Sequence, residues 1–206
     1  MTAIEQAGGR ALAVEADLMD AESPERLFHG AEEAFGTVDI LINNATGWVA
    51  DTFAPATTDR LGRELRRVAP ESFHPNFMVD ARGGALLIAE FARRNIAARR
   101  DWGRIVSLTS GGGLGFPEEV SYGAAKAALN HYTMSAAVEL APYGITANAL
   151  HPPVTDTGWV TDAVREFVRT SPDHVRVATP AEVAEVIAFV VSDAGGLITG
   201  NVLQLR

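Results

Sequence analysis

The chain meets its need for positive charge with 16 arginines and a single lysine. That lysine, Lys126, stands four residues after Tyr122 in SYGAAKAALNHY. On a helix the i, i+4 spacing puts both side chains on one face. A phenol with its ordinary pKa near 10 is a poor acid–base group at neutral pH. Bringing it near 7 takes roughly 4 kcal/mol of preferential phenolate stabilisation, of which an adjacent cation in a partly dry site supplies a large part. Lysine suits the task because its ammonium is compact, rotatable and a three-way donor. The planar fork of arginine would not readily serve a phenolate and a ligand hydroxyl together. The pair therefore points to proton transfer at an oxygen rather than to a solvated surface contact. A hydroxyl that holds the reacting oxygen should stand nearby. Ser110, at the end of RIVSLTS, is the candidate and Thr109 a weaker one, although a serine at a strand end is also an ordinary turn residue. The asparagines of NNATG at 43–47 close another apolar run, a place where such residues commonly satisfy loop backbone groups.

These residues need strand ends and a helix to hold them. RALAVEA (10–16) reads as a strand ending at Asp17, and 21–35 as a helix stopped by Gly36. VDILINNA (38–45) is almost continuously apolar, as expected of a central strand covered on both faces. RIVSLTS (104–110) and ITANALH (145–151) are further buried strands, the second stopped by Pro152-Pro153. Long helices are predicted over 78–98 and 121–141, another opens at Thr179-Pro180, and NVLQLR forms a last strand. Strand–helix alternation predicts an α/β fold: a doubly wound, Rossmann-like parallel sheet in three layers, α/β/α, as a single domain over 1–206. Ligands of such sheets lie beyond the carboxyl ends of the strands, where the motifs fall. MTAIEQAGG reads as a helix tail stopped at Gly8-Gly9, which implies that an earlier β-α-β portion is absent.

Composition removes several function classes. A net charge of −9 works against sequence-independent binding to nucleic acid or an anionic membrane. Without cysteine there is no disulfide, thiol nucleophile or thiolate metal site, and the five histidines lack zinc-ligand spacing, so no metal is expected. Neither a signal peptide nor an apolar run of membrane-spanning length is visible, which implies a cytoplasmic protein. GGGLG (111–115) lacks the spacing of a dinucleotide fingerprint and reads as an active-site rim rather than a phosphate cradle; no P-loop occurs. The arginine pairs 66–67, 93–94 and 99–100 read as solvated helix faces.

Taken together, NNAT (43–46), GRIVSLTS (103–110), YGAAK (122–126) and NALHPPVTDT (148–157) resemble the short-chain dehydrogenase/reductase family, in order and spacing, along the whole chain. Its 3-oxoacyl-carrier-protein-reductase-like members are the nearest in pattern. The resemblance implies an NAD(P)-dependent oxidoreductase that interconverts a carbonyl and a secondary alcohol of a small molecule, with NAD or NADP left open. It implies that Asp17 and Leu18 face the adenine and that Asn43, Asn44 and Ala45 line the adenosine ribose. Tyr122 would be the acid–base and Ser110 would position the carbonyl or alcohol. Lys126 would hold the nicotinamide ribose while lowering the tyrosine pKa. Thr155 and Thr157 would meet the carboxamide and phosphate. Trp159, Val160 and Phe167 fall where the family places a mobile substrate flap, and serve equally well as ordinary packing.

Several positions depart from the family pattern. Asp80, in MVDARGG, takes the place where a helix asparagine completes a catalytic tetrad, so it joins the candidate catalytic residues. Pro153 and Thr46 replace glycines, and the family's opening strand and TGxxxGxG turn would precede Met1. The chain as given is therefore expected to bind NAD(P)H weakly or not at all and to show little activity. A non-catalytic relative acting as scaffold or subunit is the alternative, and a nucleotide-binding module of another class is a third. The small-residue runs AAKAAL and SAAVELA permit close helix approach, and a homodimer or homotetramer is expected.

Overall fold

In the computed structural model the described residues are 2–111 and 115–206. A short helix α1 (Thr2–Gln6) is followed by a long coil, then α2 (Ser23–Phe35) and β1 (Ile40–Asn43). Two short strands, β2 (Asp51–Thr52) and β3 (Arg66–Arg67), pair in parallel to brace the excursion that follows β1. The chain then enters α3 (Pro70–Pro75), a π-helical stretch over Asn76–Gly83, and α4 (Gly84–Ala97). After these come β4 (Gly103–Leu108), α5 (Val120–Leu140), β5 (Ile145–His151), α6 (Asp162–Thr170), α7 (Pro180–Val191) and β6 (Val202–Gln204).

The main sheet has the order β1-β4-β5-β6, and all its pairings are parallel. Phe28 of α2, Leu87 and Phe91 of α4 and Ala136 and Leu140 of α5 pack with Ile105 and Ile145 on one face. On the other, Val183 and Val190 of α7 pack with Val106, Leu108 and Leu150. That is the expected doubly wound, three-layer α/β/α arrangement. α7 opens at Pro180 as its sequence foretold, and Thr179 caps it in a reciprocal bond pattern with Glu182.

Two expected strands are realised differently. RALAVEA forms no strand: 10–16 is coil, and its apolar side chains Leu12 and Val14 remain 49% and 42% exposed. Alternation was present, but among the described residues no strand pairs with it. Nor is β1 covered on both faces. Leu41 and Asn43 are buried while Ile40 and Ile42 are exposed, since α7 sits over β4, β5 and β6 and not over β1. Arg66-Arg67 lies in a strand, not on a helix face. Arg94 is largely buried, bridging Glu90 of its own helix to Glu32 of α2.

The helix at 70–97 begins earlier than its sequence pattern suggested and is irregular for a reason. Pro75 lies inside it, without an N–H and with a ring that crowds the preceding turn, and the hydrogen bonding widens to the π pattern just beyond. Asp80 lies in that widened turn. Gly84 follows it, and a Cβ there would come within 2.6 Å of Leu129, so the glycine lets the two long helices touch.

Candidate active site

Parallel pairing in register places Asn43 opposite Ser107 and Leu108 opposite Leu150, so the segments after β1, β4 and β5 leave the same edge of the sheet. Tyr122 and Lys126 lie in the first two turns of α5. The start of α5 is fixed by a residue that the sequence did not single out. Asp51, fully buried, accepts from the Ser121 amide at 2.8 Å and from the hydroxyls of Ser121 at 2.5 Å and Ser72 at 2.8 Å. A carboxylate at a helix N-terminus satisfies an orphan donor and complements the helix dipole. It also ties α5 to β2 and α3. No local spacing announces this, because cap and helix are separated by 70 residues.

The ring of Tyr122 is tilted against Phe116 at a centroid distance of 6.0 Å. Gly123 makes room for that contact, since a Cβ there would lie 2.5 Å from the Phe116 side chain. Lys126 is 2% exposed, and its Nζ donates to the Leu108 carbonyl oxygen at 3.0 Å. Asp80 Oδ1 lies 2.7 Å from the same nitrogen. That contact is an ion pair whose approach lies outside hydrogen-bond geometry, so Asp80 Oδ1 has a counter-charge but no aligned donor. Asp80 Oδ2 accepts from Thr46 Oγ1 at 3.1 Å and from the Gly47 amide at 2.9 Å. A Cβ at Gly47 would meet the Pro75 carbonyl oxygen at 2.2 Å, so this loop can approach the helix only with glycine there.

The electrostatics reverse one expectation. Burial, with a contribution from the Asp80 charge, pushes Tyr122 up to about 12. The Ser110 hydroxyl is near enough to pull the other way, without standing in direct hydrogen-bond geometry, and Glu119 adds a smaller upward push. Lys126, expected to bring the tyrosine down, has Asp80 as its close counter-charge. Glu119 is itself held at 2.6 Å by Arg63 and at 3.1 Å by the Trp48 indole N–H.

Tyr122, Lys126, Asp80 and Ser110 are thus brought together. A groove of about 480 Å³ opens beside them, lined by Leu12, Leu18, Asn43, Asn44, Ala45 and Asp80 among others. Asn43 is a buried strut whose amide reaches Gly84 O and Ser107 Oγ at 3.5 and 3.4 Å, while its Oδ1 has no donor. Asp17 is exposed and turns its carboxylate to the Met19 amide at 2.8 Å. Thr155 and Thr157 do not line this groove. The Thr155 hydroxyl donates to the Pro153 carbonyl oxygen at 2.9 Å, and Thr157 is exposed. Phe167 lies under Arg60 at 4.5 Å, and the Trp159 indole donates to Thr155 O at 2.9 Å, so two of the three candidate flap residues have partners within the fold. The glycine-rich rim at 111–115 falls largely outside the described residues. Among the described residues no cluster of metal-ligating side chains occurs, and no helix is long and apolar enough to cross a membrane.

A doubly wound parallel sheet with its polar groups gathered at the carboxyl ends defines, by class, an α/β protein that binds its ligand at that edge. The comparisons agree. A family profile described as enoyl-(acyl carrier protein) reductase matches residues 1–205. An uncharacterized oxidoreductase, YjdA of Bacillus subtilis (strain 168), is 35% identical over 198 residues, covering 96% of this chain and 74% of the relative. The 3-oxoacyl-[acyl-carrier-protein] reductase MabA of Mycobacterium tuberculosis is 32% identical, covering 93% of this chain and 74% of that enzyme. A dehydrogenase/reductase structure from Sinorhizobium meliloti 1021 superposes with a TM-score of 0.84 at 30% identity, over 99% of this chain and 76% of the other. The chain belongs to the short-chain dehydrogenase/reductase family, whose members are NAD(P)-dependent oxidoreductases.

Proposed function

We propose that this protein reduces a carbonyl of a small molecule to a secondary alcohol, with Tyr122 as the proton donor. The observation that carries the reading is the half-buried Tyr122 phenol beside Ser110 at the carboxyl edge of the sheet, which burial pushes up to about 12. As negative charge develops on the carbonyl oxygen, Ser110 donates a hydrogen bond to it and Tyr122 delivers the proton. NAD(P)H, when bound, supplies the hydride. The groove fits the nucleoside parts of that cofactor: it is mostly apolar, with Leu18, Asn44 and Ala45 at its wall and the unpaired Asn43 Oδ1 in its lining. Lys126 anchors this wall through the Leu108 carbonyl oxygen and Asp80. The relatives' names span a 3-oxoacyl carrier-protein reductase and a cis-4-hydroxycyclohexanecarboxylate dehydrogenase, and what these share is carbonyl–alcohol interconversion.

The assembly is proposed to be a dimer or tetramer, on the strength of apolar side chains left at the surface of α5 and near α7: Val138 is 77% exposed, Phe189 52% and Leu197 fully exposed. A second reading, a family member without turnover, is favoured by the capture of Lys126 by Asp80. The pH dependence of turnover at saturating cofactor separates the two. With Tyr122 held up to about 12, carbonyl reduction stays level through neutrality into mild base, while alcohol oxidation climbs with pH. A reduction rate that falls away near neutrality contradicts a proton-donor tyrosine of this kind, and no turnover in either direction supports the second reading.

A further inference from the structure

Asp80 stands out because the reaction as drawn makes no use of a buried carboxylate. It is 1% exposed, lies in the π-helical turn, and has three neighbours from two other elements: Lys126 of α5, and the Thr46 hydroxyl and Gly47 amide of the loop after β1. A carboxylate so placed is expensive to bury unless its charge is matched. Lys126 is the counter-charge, its side chain 3% exposed. The Lys126 Nζ lies 5.6 Å from the Tyr122 ring centroid, so the lysine is close enough for its charge to favour the phenolate if nothing opposed it.

We propose that the Asp80 carboxylate, by holding Lys126 in a closed ion pair, cancels the lysine's pull on Tyr122 and so biases the site toward proton donation. Asp80 acts through Lys126 and is a positioning residue; it does not touch the reacting atoms. The proposal rests on Tyr122 as the acid–base but is tested without turnover. The charged or titratable groups that face Tyr122 are few. Asp80 comes from the π turn, Lys126 from its own helix and Glu119 from the residue before that helix; Ser110, after β4, is the facing hydroxyl. Glu119 is matched by Arg63, which leaves the Asp80–Lys126 pair as the adjustable element. Thr46 and Gly47 fix the second oxygen, so the carboxylate cannot swing away from the lysine without losing both bonds. Replacing Asp80 by the isosteric amide keeps an acceptor for those two donors and removes the opposing charge, with the amide NH2 taking the place of Oδ1 beside the lysine.

The test is a near-ultraviolet phenolate titration of the 206-residue protein, in which Tyr122→Phe subtracts the contributions of Tyr132 and Tyr143. In Asp80→Asn, Tyr122 is expected to become at least about tenfold more acidic than in the wild type, the equivalent of one pKa unit. An unchanged or less acidic Tyr122 overturns the proposal. Should the single variant fail to fold, Asp80→Asn/Lys126→Met, which buries no charge, decides the matter. Its Tyr122 is expected to titrate within about tenfold of wild type, because a pair that cancels can be removed as a pair. A Tyr122 more than about tenfold less acidic in the double variant shows that the lysine was already reaching the phenol, and overturns the proposal. Turnover assays stand apart: a titration that shifts as expected in a protein that reduces nothing removes the proposed function and leaves this inference in place.

Discussion

β1 and β4 are neighbours in one sheet, both read in sequence as apolar runs, and they end up in different environments. All six residues of β4 are buried, between α4 and α5 on one side and α7 on the other. In β1 every second residue is exposed, and its outer edge has no partner among the described residues. The contrast extends to the two halves of the site. The catalytic wall is interlocked: Asp51 fixes the start of α5, Asp80 fixes Lys126, and Thr46 and Gly47 fix Asp80. The nucleotide wall consists of coil at 10–16, an open groove and the exposed Asn44 and Ala45. The polar network is interlocked around the buried Asp51, Asp80 and Lys126, and the groove is left to a surface that water reaches.

The largest expected effect lies on the interlocked side. Lys126→Arg keeps the charge but must fit a planar fork where a compact ammonium, 3% exposed at its side chain, meets Asp80 and the Leu108 carbonyl oxygen. Turnover should fall at least about a hundredfold, the lower end for a lost acid–base group, because the shift carries the tyrosine with it. Rates near wild type in a steady-state assay would show that the wall is not interlocked. Core truncation sharpens the contrast between the strands. Leu150→Ala, at a fully buried position of β5, should cost about 2–5 kcal/mol in denaturant unfolding. Ile42→Ala in β1, at 37% exposure, should cost under about 1 kcal/mol. Equal losses would erase the distinction.

The smallest effect concerns the link between α2 and α4. Hydrogen bonds from Arg93, and then from Arg94, hold Glu90 at about 2, well below its ordinary 4.5. A depressed carboxylate stabilises the fold above its unfolded pKa, and that contribution is lost as pH falls from about 4.5 toward 2. Much of Arg93 is solvated, so Glu90→Gln should cost only about 1 kcal/mol at neutral pH. The variant's unfolding midpoint should converge with that of wild type in acid; a gap that persists at low pH contradicts the assignment.

The sequence made the chemistry more legible than the packing. The grouping of Tyr122, Lys126 and Ser110 was legible because spacing on one helix and position at a strand end are local properties. β4, β5 and α7 were readable for the same reason, through apolar continuity and a proline-led cap. RALAVEA misled because alternation records only which side chains prefer burial, whereas a strand needs a hydrogen-bonding neighbour. The charge state of the site was invisible for a related reason. Asp80 and Lys126 are 46 residues apart, and the packing of the π-helical stretch against α5 brings them to 2.7 Å. Lysine beside tyrosine reads as a phenolate-maker until a carboxylate from another helix is placed against it.

The central claim is that Tyr122 delivers the proton in a carbonyl reduction. The most direct measurement is NADH- and NADPH-dependent reduction of a panel of ketones and 3-oxoacyl thioesters by the wild type and by Tyr122→Phe, with cofactor binding followed by nicotinamide fluorescence. The variant should bind cofactor as the wild type does and lose about a hundredfold to ten-thousandfold in kcat, the range for removal of a positioned general acid. A variant that turns over at the wild-type rate would contradict that claim.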